Sequence, residues 1–296
     1  MNTAEAAEWV DRIHARCRKV RTPCGDGEMV WRIWGEGAPV VLLHGGSGSW
    51  THWIANIPVL EKHFRLYVAD IPGLGDSDLP PEPYDPNRLL ESTEHLAGIV
   101  NAGLAKLLPA TESYHLVGFS FGAVMGGHVA VRDAARVKSF TMIGGAALGV
   151  SWPGLRGSLR LARDDMSEAE ILDVQRHNLH VIMMASAPDQ IDDHTAWLQL
   201  ENTRRARQRT HTVAASDTLI RALRKVSMPL NVIWGTSDVF ANPGVQERER
   251  VLRDLGNRLD LRLVDGAGHW AMYEAADAVN GMLLEMLQAP PAHGGA

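Results

Sequence analysis

The apolar run Tyr114-His115-Leu116-Val117 leads directly into Gly118-Phe119-Ser120-Phe121-Gly122, and a helix-forming segment with further glycines at 126 and 127 follows. No other stretch restricts the folding of the chain as much. A strand that must become a helix within so few residues leaves Ser120 on a sharp, strained turn with its hydroxyl projecting. Side chains at the flanking positions would clash there, so glycine is needed at both 118 and 122. The helix starting at Phe121 adds a positive potential beneath any oxyanion that develops at the turn.

Short β-branched runs alternate with helix-length segments along the rest of the chain. This is the rhythm of an α/β fold with a mostly parallel central sheet flanked by helices. Strands are predicted at Met29–Trp34, Pro39–His44, Leu66–Asp70, Tyr114–Phe119, Lys138–Gly144, Leu230–Trp234 and Leu261–Val264. Helices are predicted at 4–20, 92–108, Phe121–Ala134 and Trp270–Leu287. In the second, Leu96, Ile99, Val100, Leu104 and Leu107 recur at helical spacing. The stretch Cys17–Pro23 carries no clear pattern, and the tail Ala289–Ala296, rich in Pro, Gly and Ala, is expected to fray.

The connection from Gly144 to Leu230 is far longer than the single crossover a parallel sheet requires, and a structureless loop of that length does not suit a compact domain. It carries its own helix signals. Ser167 with Glu170 forms a capping box, Asp192 or Asp193 is placed to cap a second helix, and Ser216 a third. The chain is therefore divided into a first core part (1–147), a helical cap insertion (148–226) and a second core part (227–296). Ligands of open α/β sheets bind beyond the carboxyl ends of the strands, so the insertion would roof such a site.

A neutral serine hydroxyl is a poor nucleophile and needs a base. Of the 13 histidines, His269 in Gly266-Ala267-Gly268-His269-Trp270 follows the last strand, at the same sheet edge as Ser120. An acid must fix the imidazole tautomer. Asp238 lies just past the strand Leu230–Trp234, again at the carboxyl edge, whereas the preceding strand ends in Gly144-Gly145 with no carboxylate. The chain order Ser120, Asp238, His269 is the order that triads on this type of sheet follow. Leu43-His44-Gly45-Gly46-Ser47-Gly48 supplies a glycine-rich loop, and the backbone amides of Gly46 and Phe121 are the expected oxyanion donors. His44 reads as a hydrogen-bonding organiser of that loop.

With these motifs in order (LLHGGSGSW, DIPGLGDSD, GFSFG, IWGTSD and GAGHW), nearly the whole chain resembles the α/β-hydrolase superfamily. GAGHWAMYE and the helical cap look most like the carbon–carbon bond hydrolases that cleave meta-cleavage products of aromatic degradation. The resemblance implies roles for Ser120, Asp238, His269 and Trp270. Two positions depart from that branch. Phe119 stands where its members usually carry Asn, and Gln199 stands where a cap Arg grips the substrate carboxylate. Arg204, Arg205 or Arg207 would have to substitute for that Arg.

Phe119, Phe240 and Trp270 are expected to make the substrate site partly apolar, with Arg204 as a polar contact. The run Arg204–Arg209 otherwise reads as the solvated face of a helix, and Trp50 and Trp53 suit either a pocket wall or packing. The expected activity is hydrolysis of a small, partly apolar ester through an acyl-enzyme. Carbon–carbon bond hydrolysis of a 2-hydroxy-6-oxo-dienoate is the alternative, and a ligand receptor on the same fold is an alternative of another class.

Composition narrows the partners. With 29 Lys and Arg against 35 Asp and Glu, and a formal charge of −6, the chain lacks the basic surface of a nucleic-acid binder. No apolar run nears the roughly 18 residues of a membrane span, and the first residues lack the apolar segment of a signal peptide. Cys17 and Cys24 are too few for a disulfide framework. A cytoplasmic protein acting on a small molecule is expected, and a homo-oligomer is compatible with this. No motif calls for a cofactor. His177 and His180 have metal-ligand spacing but no evident carboxylate or thiol partner, so no metal is expected.

Overall fold

The computed structural model describes residues 3–152 and 154–289. In chain order, α1 (Thr3–His14) precedes β1 (Arg18–Cys24), β2 (Gly27–Trp34) and β3 (Pro39–Leu43). A 3-10 turn (Trp50–Trp53) and the short α2 (Ile57–Leu60) lead to β4 (Arg65–Ala69). Then follow α3 (Leu89–Leu107), β5 (Tyr114–Phe119), α4 (Phe121–Arg132) and β6 (Val137–Ile143). Between β6 and β7 (Leu230–Gly235) lie α5 (Glu168–Ile182), α6 (Asp193–Arg204) and α7 (Thr218–Leu223). The chain closes with α8 (Val245–Arg253), β8 (Leu259–Val264), α9 (Ala271–Glu274) and α10 (Ala276–Gln288).

The eight strands form one sheet in the order β1-β2-β4-β3-β5-β6-β7-β8. β2 runs antiparallel to β1 and β4, and all later pairs are parallel. β3 and β7 are buried throughout, because helices cover both faces of a parallel sheet; hence the uninterrupted apolar sequence of β3, while in β7 the one polar side chain, Asn231, donates to Thr141 Oγ1 at 3.1 Å. Each Val or Leu fully withdrawn from water in this way contributes roughly 1.5–3 kcal/mol. The register aligns the strand ends: Leu43 pairs with Gly118, Phe119 with Ile143, Ile143 with Ile233 and Gly235 with Val264. Residues that follow β3, β5, β6, β7 and β8 therefore emerge along one edge.

Two expected helices differ from those observed. The helix expected over 4–20 ends at His14, and Arg18–Cys24 is an edge strand. Its Thr22 and Cys24 are buried while most other positions face water, so a charged, half-solvated strand gave little period to read. The helix expected over Trp270–Leu287 is broken at Ala275, whose φ of −127° interrupts it. The tail expected to fray lies, beyond Ala289, outside the described residues.

Two of the insertion's three expected helix caps act as capping chemistry dictates. Ser167 and Glu170 satisfy each other's backbone amides, and Asp192 accepts from Thr195 N. The third differs: the N-cap of α7 is Asp217, which makes no side-chain cap bond, and Ser216, one residue earlier, only accepts from Thr218 N at 3.2 Å. α5 and α6 lie over the carboxyl edge. By contrast α7 packs beside the core: His128 of α4 bonds the Thr218 carbonyl at 3.1 Å, and a Cβ on Gly127 would come within 2.6 Å of Leu219.

Candidate active site

Ser120 sits at φ 51°, ψ −115°, a left-handed conformation that costs a non-glycine residue on the order of 1–3 kcal/mol. Its surroundings enforce it. A Cβ on Gly118 would fall 2.4 Å from the Gly122 carbonyl oxygen, and one on Gly122 would fall 2.3 Å from that of Leu43. Ser120 N–H donates to the Ile143 carbonyl of β6 at 2.9 Å, and the Ser120 carbonyl accepts from Ala123 and Val124 of α4. The turn is thus clamped between two strands and a helix.

Three distant segments meet there. Ser120 Oγ lies 2.8 Å from His269 Nε2. His269 Nδ1 lies 3.0 Å from both carboxylate oxygens of Asp238. Asp238 is wholly buried and His269 nearly so, and Asp238 Oδ1 also accepts from Phe240 N at 2.8 Å. A carboxylate can only accept, so His269 carries its proton on Nδ1 and offers a bare Nε2 to the serine hydroxyl. Gly144, at φ 59°, leaves room for this ring: a Cβ there would meet His269 Cε1 at 2.8 Å.

The amide of Phe121 opens α4 and is one of the helix's first donors, which have no acceptor within the helix. Gly46 lies against it, since a Cβ on Gly46 would stand 3.9 Å from Phe121 Cβ and 2.5 Å from Thr210 Oγ1. His44 organises this loop from below. Its Nδ1–H donates to the Gly45 carbonyl at 2.7 Å, and its Nε2 accepts from Ile71 N at 2.9 Å. Burial lowers its pKa, favouring the neutral ring.

A cavity of about 840 Å³ opens from this edge into the insertion. Ser120, His269, Gly46 and Phe121 form its floor, while Leu179, Met183 and Val213 line its walls and Leu161 its mouth. Phe240 and Arg204 also line it. Phe240 lies 4.4 Å from the His269 ring and stacks on Trp152. Arg204 is ion-paired with Glu201 at 2.9 Å.

Two rings expected to face substrate do not line this cavity. Phe119 is fully buried, with its ring 5.0 Å from His269 and 5.4 Å from His52. It precedes the nucleophile on a strand, where successive side chains point to opposite faces. Trp270 is also fully buried. It stacks on Tyr273 at 4.1 Å and donates its indole N–H to the His52 carbonyl at 3.1 Å. Phe119 thus supports the imidazole from outside the cavity, and Trp270 packs against His52, its ring 5.1 Å away. Arg205 and Arg207 likewise turn away, to Asp76 at 3.3 Å and to the carbonyls of Gly75 and Ser77. Trp53 is packed in the core and Trp50 lies against Trp34.

His177 and His180 bond the carbonyls of Ser158 and Ser186. Among the described residues no group of three or more His, Cys, Asp or Glu is placed to hold a metal ion, and no helix is long and apolar enough to cross a membrane.

Sequence reading did not single out Glu274. Its carboxylate accepts from Gly268 N (2.7 Å), Ala185 N (3.1 Å), Ser186 N (2.9 Å) and Ser186 Oγ (2.6 Å). It ties the loop that carries His269 to the link between α5 and α6. Its place in GAGHWAMYE was the only available signal.

Comparison with known proteins agrees with this architecture. The chain is 28% identical to the 2-hydroxy-6-oxononadienedioate/2-hydroxy-6-oxononatrienedioate hydrolase of Paraburkholderia xenovorans, over 90% of this chain and 94% of that protein. It is also 28% identical to the dihydrolipoyllysine-residue acetyltransferase component of the acetoin cleaving system of Pseudomonas putida, over 87% of this chain. There it spans 66% of the longer protein. Among solved structures, carboxylesterase CesB from Bacillus subtilis superposes with a TM-score of 0.68 at 19% identity, covering 96% of this chain and 98% of that one. Residues 40–282 match the alpha/beta hydrolase family, and with its eight-stranded sheet and serine-bearing turn the chain belongs to that family.

Proposed function

We propose that this hydrolase cleaves a small, partly apolar carboxylic ester through a Ser120–His269–Asp238 triad. The observation that carries the reading is the hydrogen-bonded series from Ser120 Oγ to His269 Nε2 at 2.8 Å and from His269 Nδ1 to Asp238 at 3.0 Å. Ser120 Oγ attacks the ester carbonyl carbon while its proton passes to His269 Nε2, and Asp238 stabilises the imidazolium. The amides of Gly46 and Phe121 hold the oxyanion. As the intermediate collapses, His269 returns the proton to the leaving alcohol. Water then attacks the acyl-enzyme with His269 as base, releasing the acid and free Ser120. Within the insertion 148–226, α5 and α6 act as the cap while α7 packs beside the core, with Phe240 and Arg204 as substrate contacts.

A second reading, carbon–carbon bond hydrolysis of a dienoate ring-fission product, is favoured by the names of relatives such as the Paraburkholderia enzyme. The ester reading is preferred because Gln199, in the place of that branch's cap Arg, has both ends of its amide engaged by protein, to His52 at 3.1 Å and to Ser47 at 3.1 Å. One assay separates them: turnover of p-nitrophenyl butyrate against that of a 2-hydroxy-6-oxo-dienoate. Ester turnover well above dienoate turnover is expected, and the reverse selects the second reading. Ser120→Ala is expected to lower ester turnover by at least about 10,000-fold and to abolish labelling by a fluorophosphonate. Robust hydrolysis by that variant overturns the assigned nucleophile.

A further inference from the structure

The loop after β3 is held in shape from above as well as from below. Ser47 adopts φ 48°, a conformation that persists only when its surroundings impose it. Beneath the loop lies His52, wholly buried. Gly45 N–H donates to His52 Nδ1 at 3.2 Å, so the ring proton sits on Nε2, which faces Gln199 Oε1 at 3.1 Å. The other end of the same amide, Gln199 Nε2, donates to the Ser47 carbonyl at 3.1 Å. The loop also wraps the ring, for a Cβ on Gly48 would fall 2.2 Å from His52 Cε1. One turn further along α6, Asn202 Oδ1 accepts from Ser49 Oγ at 2.7 Å and Thr51 Oγ1 at 2.9 Å. Burial, together with the neighbouring His44, lowers the pKa of His52 to about 3, so the ring stays neutral and the direction of the relay is fixed.

We infer that Gln199 is a positioning residue for the oxyanion site: by clasping His52 with one end of its amide and Ser47 with the other, it holds residues 45–48 so that the Gly46 N–H points at the developing oxyanion. This rests on the hydrolase reading above. The insertion is then part of the catalytic geometry as well as a wall of the cavity.

Gln199→Leu keeps the bulk and removes both hydrogen bonds. Gln199→Glu keeps an acceptor for His52 but turns a second oxygen toward the Ser47 carbonyl. With p-nitrophenyl butyrate, Gln199→Leu is expected to lower kcat about 10- to 100-fold at unchanged KM. The affinity for an alkyl boronate, which mimics the tetrahedral intermediate, should fall in parallel. The His52 Nε2–H resonance in NMR spectra should shift as its acceptor is lost. A folded Gln199→Leu enzyme with wild-type kcat overturns the inference, and so does a change confined to KM, which would make Gln199 a substrate contact only. Should Gln199→Leu not fold, Gln199→Glu decides: reduced kcat with the His52 Nε2–H retained supports the clasp, and wild-type kcat overturns it. Ser120→Ala, measured alongside, keeps the two claims apart, since an active Ser120→Ala enzyme refutes the hydrolase reading itself.

Discussion

On the sheet side of the cavity, Ser120, Asp238 and His269 hang from strand ends whose register is fixed by continuous backbone pairing, and each is clamped by buried neighbours. On the insertion side the wall is made of side chains from α5, α6 and the irregular stretch near 159–164, where Leu159 is 47% and Leu161 85% exposed. The sheet side is a product of backbone geometry and tolerates little change. The insertion side is a product of side-chain choice and can be rewritten residue by residue. Under the proposed function, reaction chemistry belongs to the first wall, and selectivity, apart from the Gln199 clasp, to the second.

The sharpest way to break this division is at Asp238. Asp238→Asn leaves the shape of the site intact but removes the charge that fixes the His269 tautomer, so kcat should fall about 10,000-fold with little change in KM. A steady-state assay in which KM moved and kcat did not would reverse the roles of the two walls. Acid provides a second test, aimed at the sheet side. The unfolded chain protonates a histidine near pH 6.5, whereas burial keeps His52 neutral until about 3 and His115 until about 4. Their folded pKa values are lowered, so the stability they contribute is present above pH 6.5 and is lost as pH falls below it. For His52 alone the loss is about 1.4 kcal/mol per pH unit. Thermal melts should show a falling midpoint from pH 7 to pH 5, and a flat profile would mean that these rings are hydrated. The smallest effect belongs to the opposite wall. Leu161→Ser should raise KM about threefold for p-nitrophenyl octanoate and leave the acetate ester and both kcat values unchanged. Equal effects on the two esters would remove Leu161 from the acyl path.

What could be read from the chain in advance follows the same division. The strand–turn–helix around Ser120, the aspartate after β7 and the histidine after β8 are local features with local causes. Glycine must flank the turn, and caps such as Ser167 and Asp192 announce their helices. Other features escaped, besides Glu274 and the helix break at Ala275. The strand Arg18–Cys24 lies at the sheet edge with charged residues in water, so neither period was visible in it. Phe119 and Trp270 adjoin Ser120 and His269 in sequence, but alternation along a strand turns Phe119 behind the imidazole, and Trp270 packs against Tyr273 and His52. The His52–Gln199 contact joins residues 147 positions apart, and no pattern on either segment announces a partner so distant.

Glu274 couples two parts of the molecule mechanically. Its single carboxylate gathers donors from the histidine loop and from the α5–α6 link, so any outward swing of that link must either strip the carboxylate of three hydrogen bonds or drag Gly268, and with it His269, out of line with Ser120. Passage of a small molecule past this corner is thus opposed by the same contacts that keep His269 aligned, and the energetically cheap doorway is the loosely packed rim around Leu159 and Leu161.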